Sequence, residues 1–222
     1  MKIKGAIFDM DGTLIDSLSF WGHFFRKLGT KYLGNPDFLP PREVEMNSRT
    51  MLLSDAVAYI REACDLPMAT PEILQFTDDA VADFYKTIAT VKDGARELLA
   101  HLRAEGITIV LASATSQPLI RLALTYHGLI DAFDAILSCV DVGAGKDKPD
   151  VYLAAARQMG LAPADICVFE DSLVALRTAR AAGFHTVGIF DSHTGGQDEI
   201  CAASDLAYVG EGESLTAALA GL

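Results

Sequence analysis

The feature that most constrains the fold is a set of short, nearly continuous apolar runs rich in β-branched residues. They are "IKGAIF" from Ile3, "ITIVLAS" from Ile107, "AILS" from Ala135, "ICVFE" from Ile166, "HTVGIF" from His185 and a weaker "LAYV" from Leu206. These runs lack the alternation of a sheet with one solvated face, and they are typical of strands covered by helices on both faces. The sequence therefore predicts a buried parallel sheet.

Helical patterns separate several of these runs. "KDGARELLAHLRAEG", "PDVYLAAARQMG" and "DSLVALRTARAAG" carry apolar residues at helical spacing, and each stops at a glycine: Gly106, Gly160 and Gly183. The repeated order of strand, helix, glycine and strand predicts a doubly wound α/β fold.

One part of the chain departs from this order. Between Ser17 and about Thr90 no convincing buried strand occurs, but helical patterns do, separated by turns such as "GNPDFLPP" and "DLPMATP". This segment also carries many of the aromatic residues and the only tryptophan, Trp21, which we expect to form its core. We predict a helical domain at 17–90, inserted into a core formed by 1–16 and 91–222.

Composition and charge limit the function. The chain has 222 residues, half of them hydrophobic, and a net charge of −12, so we expect a soluble globular protein without a general affinity for nucleic acid or anionic membranes. No apolar run approaches the roughly 20 residues of a membrane helix, and the start of the chain lacks a signal-peptide pattern. We therefore expect a cytoplasmic protein, either a monomer or a small homo-oligomer.

Polar and charged residues gather where the predicted strands end. In chain order they are Asp9 and Asp11; Ser113, Ala114 and Thr115; Lys146 and Lys148; Glu170, Asp171 and Ser172. Ligands of doubly wound folds bind beyond the carboxyl ends of the strands, so these residues are expected to share one site.

The residue types at this edge favour phosphoryl chemistry. Clustered carboxylates repel one another unless they share a cation, and Mg²⁺ is the usual choice where a phosphate oxygen completes its shell. Asp9 and Asp11, two positions apart on extended chain, are expected to face the same small volume. One can attack phosphorus while the other transfers protons, and lysine and serine can bind the transferring group.

These residues, in this order, resemble the haloacid dehalogenase superfamily of phosphotransferases. "DMDGT" is similar to its first motif, Ser113 in "LASAT" to its second, Lys146 to its third and "EDS" at 170–172 to its fourth. The resemblance extends over essentially the whole chain. It implies a Rossmann-like doubly wound core with an inserted α-helical cap domain.

The resemblance also implies roles for the site residues. Asp9 would be the nucleophile that forms an aspartyl phosphate, and Asp11 the acid/base residue and a metal ligand through its main-chain oxygen. Phosphate would be bound by Ser113, Ala114 and Lys146, and Mg²⁺ by Asp9, Asp11, Glu170 and Asp171. Lys148 is a rival to Lys146, which is preferred because it lies four residues before Asp150.

Within the superfamily, the chain most resembles the branch that contains beta-phosphoglucomutase and small-metabolite phosphatases. Thr13, and Trp21 where the mutases tend to have a histidine, favour a phosphatase acting on a small phosphorylated metabolite such as a sugar phosphate. A sugar phosphomutase is the alternative, since Arg49 lies near the position of a phosphate-binding arginine in the mutase cap. A catalytically silent relative that binds a phosphorylated ligand is the third hypothesis.

The inserted domain is expected to contribute to substrate binding. Its first helical pattern follows directly after the first motif, and Arg49 lies near the position just described. We predict that four of its residues line or flank the substrate pocket: Phe20, Trp21, Phe24 and Arg49.

Overall fold

The computed structural model describes residues 3–48, 51 and 53–222. By its internal contacts the chain divides into two compact units. Met1–Leu18 and Ala89–Leu222 form the first, the α/β unit, and Ser19–Ile88 form the second, the helical unit. None of the helices in the described ranges is both long enough and apolar enough to cross a membrane.

The α/β unit is built on a parallel sheet of six strands in the order β5-β4-β1-β6-β7-β8. A separate antiparallel pair, β2 and β3, lies where the chain leaves and re-enters this unit. The strands are β1 (Gly5–Phe8), β2 (Ile15–Asp16), β3 (Thr90–Val91), β4 (Thr108–Ser113), β5 (Ala135–Ser138), β6 (Ile166–Glu170), β7 (His185–Ile189) and β8 (Ala207–Val209). The predicted Rossmann-like parallel sheet is confirmed.

Helices connect the parallel strands and also make up most of the helical unit. They are α1 (Phe20–Leu28), α2 (Arg42–Ser48), α3 (Leu53–Ala63), α4 (Thr70–Thr87), α5 (Ala95–Ala104), α6 (Gln117–Tyr126), α7 (Cys139–Val142), α8 (Asp150–Met159), α9 (Leu173–Ala181) and α10 (Gln197–Ala203). The helix α8 ends where the sequence pattern predicts, because Gly160 adopts the left-handed backbone conformation, with φ of 66°, that residues with a side chain rarely adopt.

The order of the strands places a binding crevice at the end of β1. From β1 the chain passes to β4 and β5 on one side of the sheet, and then to β6, β7 and β8 on the other. Phe8 of β1 pairs in register with Phe169 of β6, and their rings stack with centroids 4.1 Å apart. The next residues, Asp9 and Glu170, therefore emerge together at the carboxyl edge, where doubly wound sheets bind ligands.

The helical unit has an aromatic core, as its sequence predicts. Phe20 of α1 packs against Phe24 and against Phe84 of α4, with ring centroids 5.6 and 5.5 Å apart. Phe24, Phe25 and Phe84 are buried. The apolar faces of α1 and α4 thus close over each other, and burial of large aromatic surface stabilises this unit.

Candidate active site

Three buried carboxylates meet at the carboxyl edge of the sheet. Asp9 follows β1, Glu170 ends β6, and Asp171 follows it; their exposed fractions are 6%, 1% and 5%. One oxygen from each lies within 4.8 Å of the others. Neighbouring parallel strands that end side by side therefore bring Asp9 together with acids that lie 161 and 162 residues further along the chain. The sequence predicted such a meeting for residues at the carboxyl ends of parallel strands.

Lys146 is the cation of this cluster. Its amine forms a salt bridge with Asp9 Oδ1 and a second one with Glu170 Oε1, and its side chain is only 13% exposed. Lys148, the rival lysine of the sequence, is exposed to solvent. The structure thus places Lys146, and not Lys148, against the carboxylates.

The balance of charge in the cluster favours a further cation. Burial raises the pKa of Asp9 well above its ordinary value; Lys146 opposes this rise, while Glu170 and Asp171 add to it. Burial, followed by the charge of Glu170, raises the pKa of Asp171 to about 7. Burial alone would lower the pKa of Lys146, but Asp9 and Glu170 hold it above its ordinary value. Three acids facing one amine leave an excess of negative charge. The carboxylate oxygens are ligands of the kind that a hard divalent ion such as Mg²⁺ prefers.

Glu170 has the most partners of the three acids. Its Oε1 accepts a hydrogen bond from the Tyr152 hydroxyl at 3.0 Å as well as contacting Lys146, and its Oε2 accepts from the Ser172 backbone N–H at 3.4 Å. Tyr152 lies on the buried face of α8. These contacts fix the Glu170 side chain in one orientation, so it contributes charge at a set position.

Asp11 lies near Asp9 but has different partners. The Ser17 hydroxyl donates to Asp11 Oδ1 at 2.7 Å, and the Thr115 hydroxyl donates to Oδ2 at 2.9 Å. The charge of Asp11 contributes to the raised pKa of Asp9, so the two carboxylates share one region. Asp9 contacts the Lys146 amine and lies beside two other acids, whereas Asp11 is half-buried and accepts hydrogen bonds from two hydroxyls.

A glycine turn permits this arrangement. Gly12 has a φ of 83°, and its N–H donates to the Ile15 carbonyl at 2.8 Å. A Cβ atom at Gly12 would lie 2.7 Å from Asp171 Oδ2. The turn thus brings its backbone directly against a carboxylate of the cluster, which only glycine allows.

Replacing Gly12 with alanine is expected to destabilise the protein and displace Asp171. Both the left-handed backbone and the clash with the carboxylate contribute, and together they are expected to cost about 2–4 kcal/mol. The measurement is the free energy of unfolding in urea. Gly160→Ala is the matched control, since Gly160 has a φ of 66° and no neighbouring atom within 4 Å of the added Cβ. Equal losses in the two variants would show that contact with Asp171 is unimportant.

The loop after β4 holds the remaining predicted phosphate-binding residues. Ser113 ends β4, is buried, and accepts a hydrogen bond from the Thr115 N–H at 3.1 Å; Ala114 is exposed. The Ser138 hydroxyl donates to the Thr115 carbonyl at 2.7 Å. The loop is thus held to the end of β5 through Ser138 and to the segment after β1 through Asp11. Its role in phosphate binding stays a prediction.

The residues predicted to line the pocket from the inserted segment have different environments. Trp21 is partly exposed and packs edge-on against Phe20 and Phe24, with centroids 5.8 and 6.1 Å away. Phe20 is largely buried and Phe24 fully buried within the helical unit. Arg49 lies outside the described residues. Of the four, Trp21 is therefore the one whose described side chain is open to solvent.

Sequence reasoning did not anticipate every contact of the site. Ser17, Thr115 and Tyr152 hold the acids, and the Thr194 hydroxyl donates to Asp171 Oδ2 at 2.7 Å. Thr115 belongs to a quoted motif, but Thr194 lies in a polar loop after β7 with no distinguishing pattern. Only the tertiary contacts connect it to the site.

Comparison with known proteins finds a matching family and several relatives of this chain. The haloacid dehalogenase-like hydrolase family matches residues 3–183. Hexitol phosphatase A of Escherichia coli (strain K12) is 30% identical over 194 residues, which cover 85% of this chain and 84% of that protein. The bifunctional riboflavin kinase/FMN phosphatase of Arabidopsis thaliana is 30% identical over 191 residues, 83% of this chain, which spans only 48% of that longer protein.

The fold is likewise shared with solved structures. Beta-phosphoglucomutase of Clostridium difficile superposes with a TM-score of 0.74 over 92% of this chain and 90% of its own, at 21% identity. Identity at that level supports a common fold and does not identify a reaction. The family match and the relatives named as phosphatases carry the functional conclusion.

Proposed function

Because the chain belongs to the haloacid dehalogenase-like hydrolase family, we propose that it is a Mg²⁺-dependent phosphatase of a small phosphorylated metabolite. The protein is an enzyme of this family, and its relatives are named phosphatases. The observation that carries the proposal is the buried cluster of Asp9, Glu170 and Asp171 with Lys146 between two of its acids. A sugar or sugar-alcohol phosphate is the substrate class that its similarity to hexitol phosphatase A supports.

Asp9 is the proposed nucleophile. One of its carboxylate oxygens forms a bond to phosphorus while the bond from phosphorus to the ester oxygen breaks, giving an aspartyl phosphate and a free alcohol. The leaving oxygen takes a proton from Asp11, whose carboxyl group lies in the same region. Splitting the hydrolysis into two displacements lowers the barrier of each.

Asp11 completes the second displacement. As a carboxylate it takes a proton from water, the water oxygen bonds to phosphorus, and the bond from phosphorus to Asp9 breaks, releasing inorganic phosphate. At the end of the cycle Asp9 is again a free carboxylate and Asp11 is again protonated. Hydrogen bonds from Ser17 and Thr115 orient Asp11 for these proton transfers.

The remaining residues bind and neutralise charge. Lys146 is proposed to contact a phosphoryl oxygen while it stays beside Asp9, and Ser113 and Ala114 are proposed to bind the other oxygens. Asp9, Asp11 through its main-chain oxygen, Glu170 and Asp171 would hold Mg²⁺. When bound, the ion supplies positive charge against the developing negative charge of the transferring phosphoryl group.

The helical unit is proposed to act as the cap. It is inserted in the chain between β2 and β3, which belong to the α/β unit. Caps of this kind close over a site, exclude water and select the leaving group. Trp21 and Arg49 are the residues we propose for substrate contact from this unit.

The test is release of inorganic phosphate from a panel of sugar phosphates, sugar-alcohol phosphates and nucleotides. We expect turnover with Mg²⁺, loss of turnover in excess EDTA, and recovery when Mg²⁺ is restored, because the ion would supply positive charge to the transferring phosphoryl group. Conversion of beta-glucose 1-phosphate to glucose 6-phosphate is followed in parallel. Isomerisation with little free phosphate would identify a mutase instead, and no reaction in either assay would favour the ligand-binding hypothesis.

A further inference from the structure

Hydroxyl groups from two distant parts of the chain hold the Asp171 carboxylate. Thr194 Oγ1 donates to Oδ2 at 2.7 Å, and Thr13 Oγ1 donates to Oδ1 at 3.3 Å. Asp171 is 5% exposed, so these contacts act on a side chain shielded from water. The shorter bond, from Thr194, is the stronger of the two, and it leaves Oδ1 the less engaged oxygen.

Thr194 belongs to the loop that follows β7, and a buried salt bridge fixes the start of this loop. Lys92 Nζ lies 3.1 Å from Asp191 Oδ2 and donates to the Phe190 carbonyl at 2.7 Å. Asp191 is buried, and its Oδ1 accepts from the His193 N–H at 2.8 Å. The loop is therefore held against the chain segment that follows β3.

A second set of hydrogen bonds fixes Thr194 itself. Its backbone N–H donates to the Asp191 carbonyl at 3.1 Å. Gln197 Nε2 donates to the Thr194 carbonyl at 2.7 Å and to the Asp191 carbonyl at 2.9 Å. The Tyr208 hydroxyl donates to Gln197 Oε1 at 2.8 Å, which sets the orientation of the amide. The backbone N–H and carbonyl of Thr194 are thus both hydrogen-bonded, and its hydroxyl is directed at Asp171.

We propose that Thr194 is a positioning residue that holds the Asp171 carboxylate in its metal-binding orientation and thereby sets the affinity for the divalent ion. The inference rests on the proposed function, because it takes Asp171 as a metal ligand. Outer-shell hydrogen bonds to ligating carboxylates typically account for about 10-fold to 100-fold in metal affinity. A carboxylate without this donor has more rotational freedom, and the ion must restrict that freedom when it binds.

The test measures metal binding without substrate, so it does not depend on turnover. Mn²⁺ is titrated by isothermal calorimetry into the native protein and into Thr194→Val, which replaces the hydroxyl with a methyl group of similar volume. Thr194→Ser retains a donor at the same position. Ser192→Ala removes a hydroxyl from the same loop. Among the residues that the structure describes, that hydroxyl lies 3.2 Å from His193 Nδ1 and makes no hydrogen bond to Asp171.

We expect Thr194→Val to raise the Kd for Mn²⁺ about 10-fold or more, with Thr194→Ser and Ser192→Ala close to native. Circular dichroism melts of the metal-free variants show whether each one is folded at the titration temperature. Native affinity in Thr194→Val, or an equal loss in Ser192→Ala, would overturn the role of the Thr194 hydroxyl. A native protein that binds neither Mn²⁺ nor Mg²⁺ would overturn the proposed metal-dependent function together with this inference.

Discussion

Replacing Asp9 with asparagine is expected to lower the rate of phosphate release by about 10⁴-fold or more, because it removes the proposed nucleophile. The amide has nearly the shape of the carboxylate but cannot form the aspartyl phosphate. The fold is expected to survive, since Glu170 remains to pair with Lys146 and one of three mutually repelling acids is neutralised. Loss of activity with an unchanged fold would therefore reflect chemistry at Asp9.

The measurement is turnover on the best substrate of the panel, with Mg²⁺ saturating. Asp165→Asn is the matched control: it makes the same chemical change at a partly exposed acid outside the cluster, which forms a salt bridge with Lys4 at 3.0 Å. Beryllium fluoride provides a second readout, because ¹⁹F NMR should detect an acyl-fluoroberyllate adduct in the native protein and none in Asp9→Asn. Appreciable turnover in Asp9→Asn would rule out the covalent mechanism.

Replacing Lys146 with methionine is expected to have the largest effect on stability. The change removes the amine that contacts both Asp9 and Glu170 and leaves buried carboxylates without their cation. Breaking a buried pair in this way typically costs about 3–5 kcal/mol. Activity is also expected to fall by about 10²-fold or more, because the phosphoryl group loses a charged partner.

The loss of stability in Lys146→Met is expected to depend on pH and on bound metal. Carboxylates whose folded-state pKa is raised, as for Asp9 and Asp171, stabilise the fold relative to the unfolded chain at low pH and lose that contribution as pH rises. Metal-free Lys146→Met is therefore expected to be less stable at about pH 8 than at about pH 5. Added Mg²⁺ should reduce this difference, because the ion supplies the missing positive charge.

Urea unfolding with and without Mg²⁺ at both pH values tests this expectation. Lys148→Met is the matched control, because Lys148 is exposed and two residues away in the same loop. The control should keep nearly native stability and activity. Equal losses of stability and activity in the two variants would show that the contacts of Lys146 with Asp9 and Glu170 do not account for the effect.

The principal elements of the fold followed from local patterns. Continuous apolar runs predicted the strands, and their separation by helical segments ending in glycine predicted a parallel sheet. Because parallel strands present all their carboxyl ends at one edge, residues such as Asp9 and Glu170 could be expected to meet before any coordinates were known. The resemblance to a known superfamily rested on the same positions.

Other contacts lacked such a pattern. Lys146 and Lys148 lie in one loop, and the structure distinguishes them, since only Lys146 is directed into the cluster. Loop conformation depends on turn geometry and on long-range contacts, neither of which has a period that can be read along the chain. Tyr152 had a helical position but no signal that its hydroxyl would reach Glu170.

By itself, then, the sequence determined which residues end the strands and which chemistry they can support. The tertiary structure decided which hydroxyls and which amine hold those acids in place. The reason is physical: strands and helices repeat at fixed intervals, so their buried faces and ends can be read from the chain. A side chain such as Thr194 reaches Asp171 only because Lys92, Asp191 and Gln197 fold a polar loop back onto the edge of the sheet.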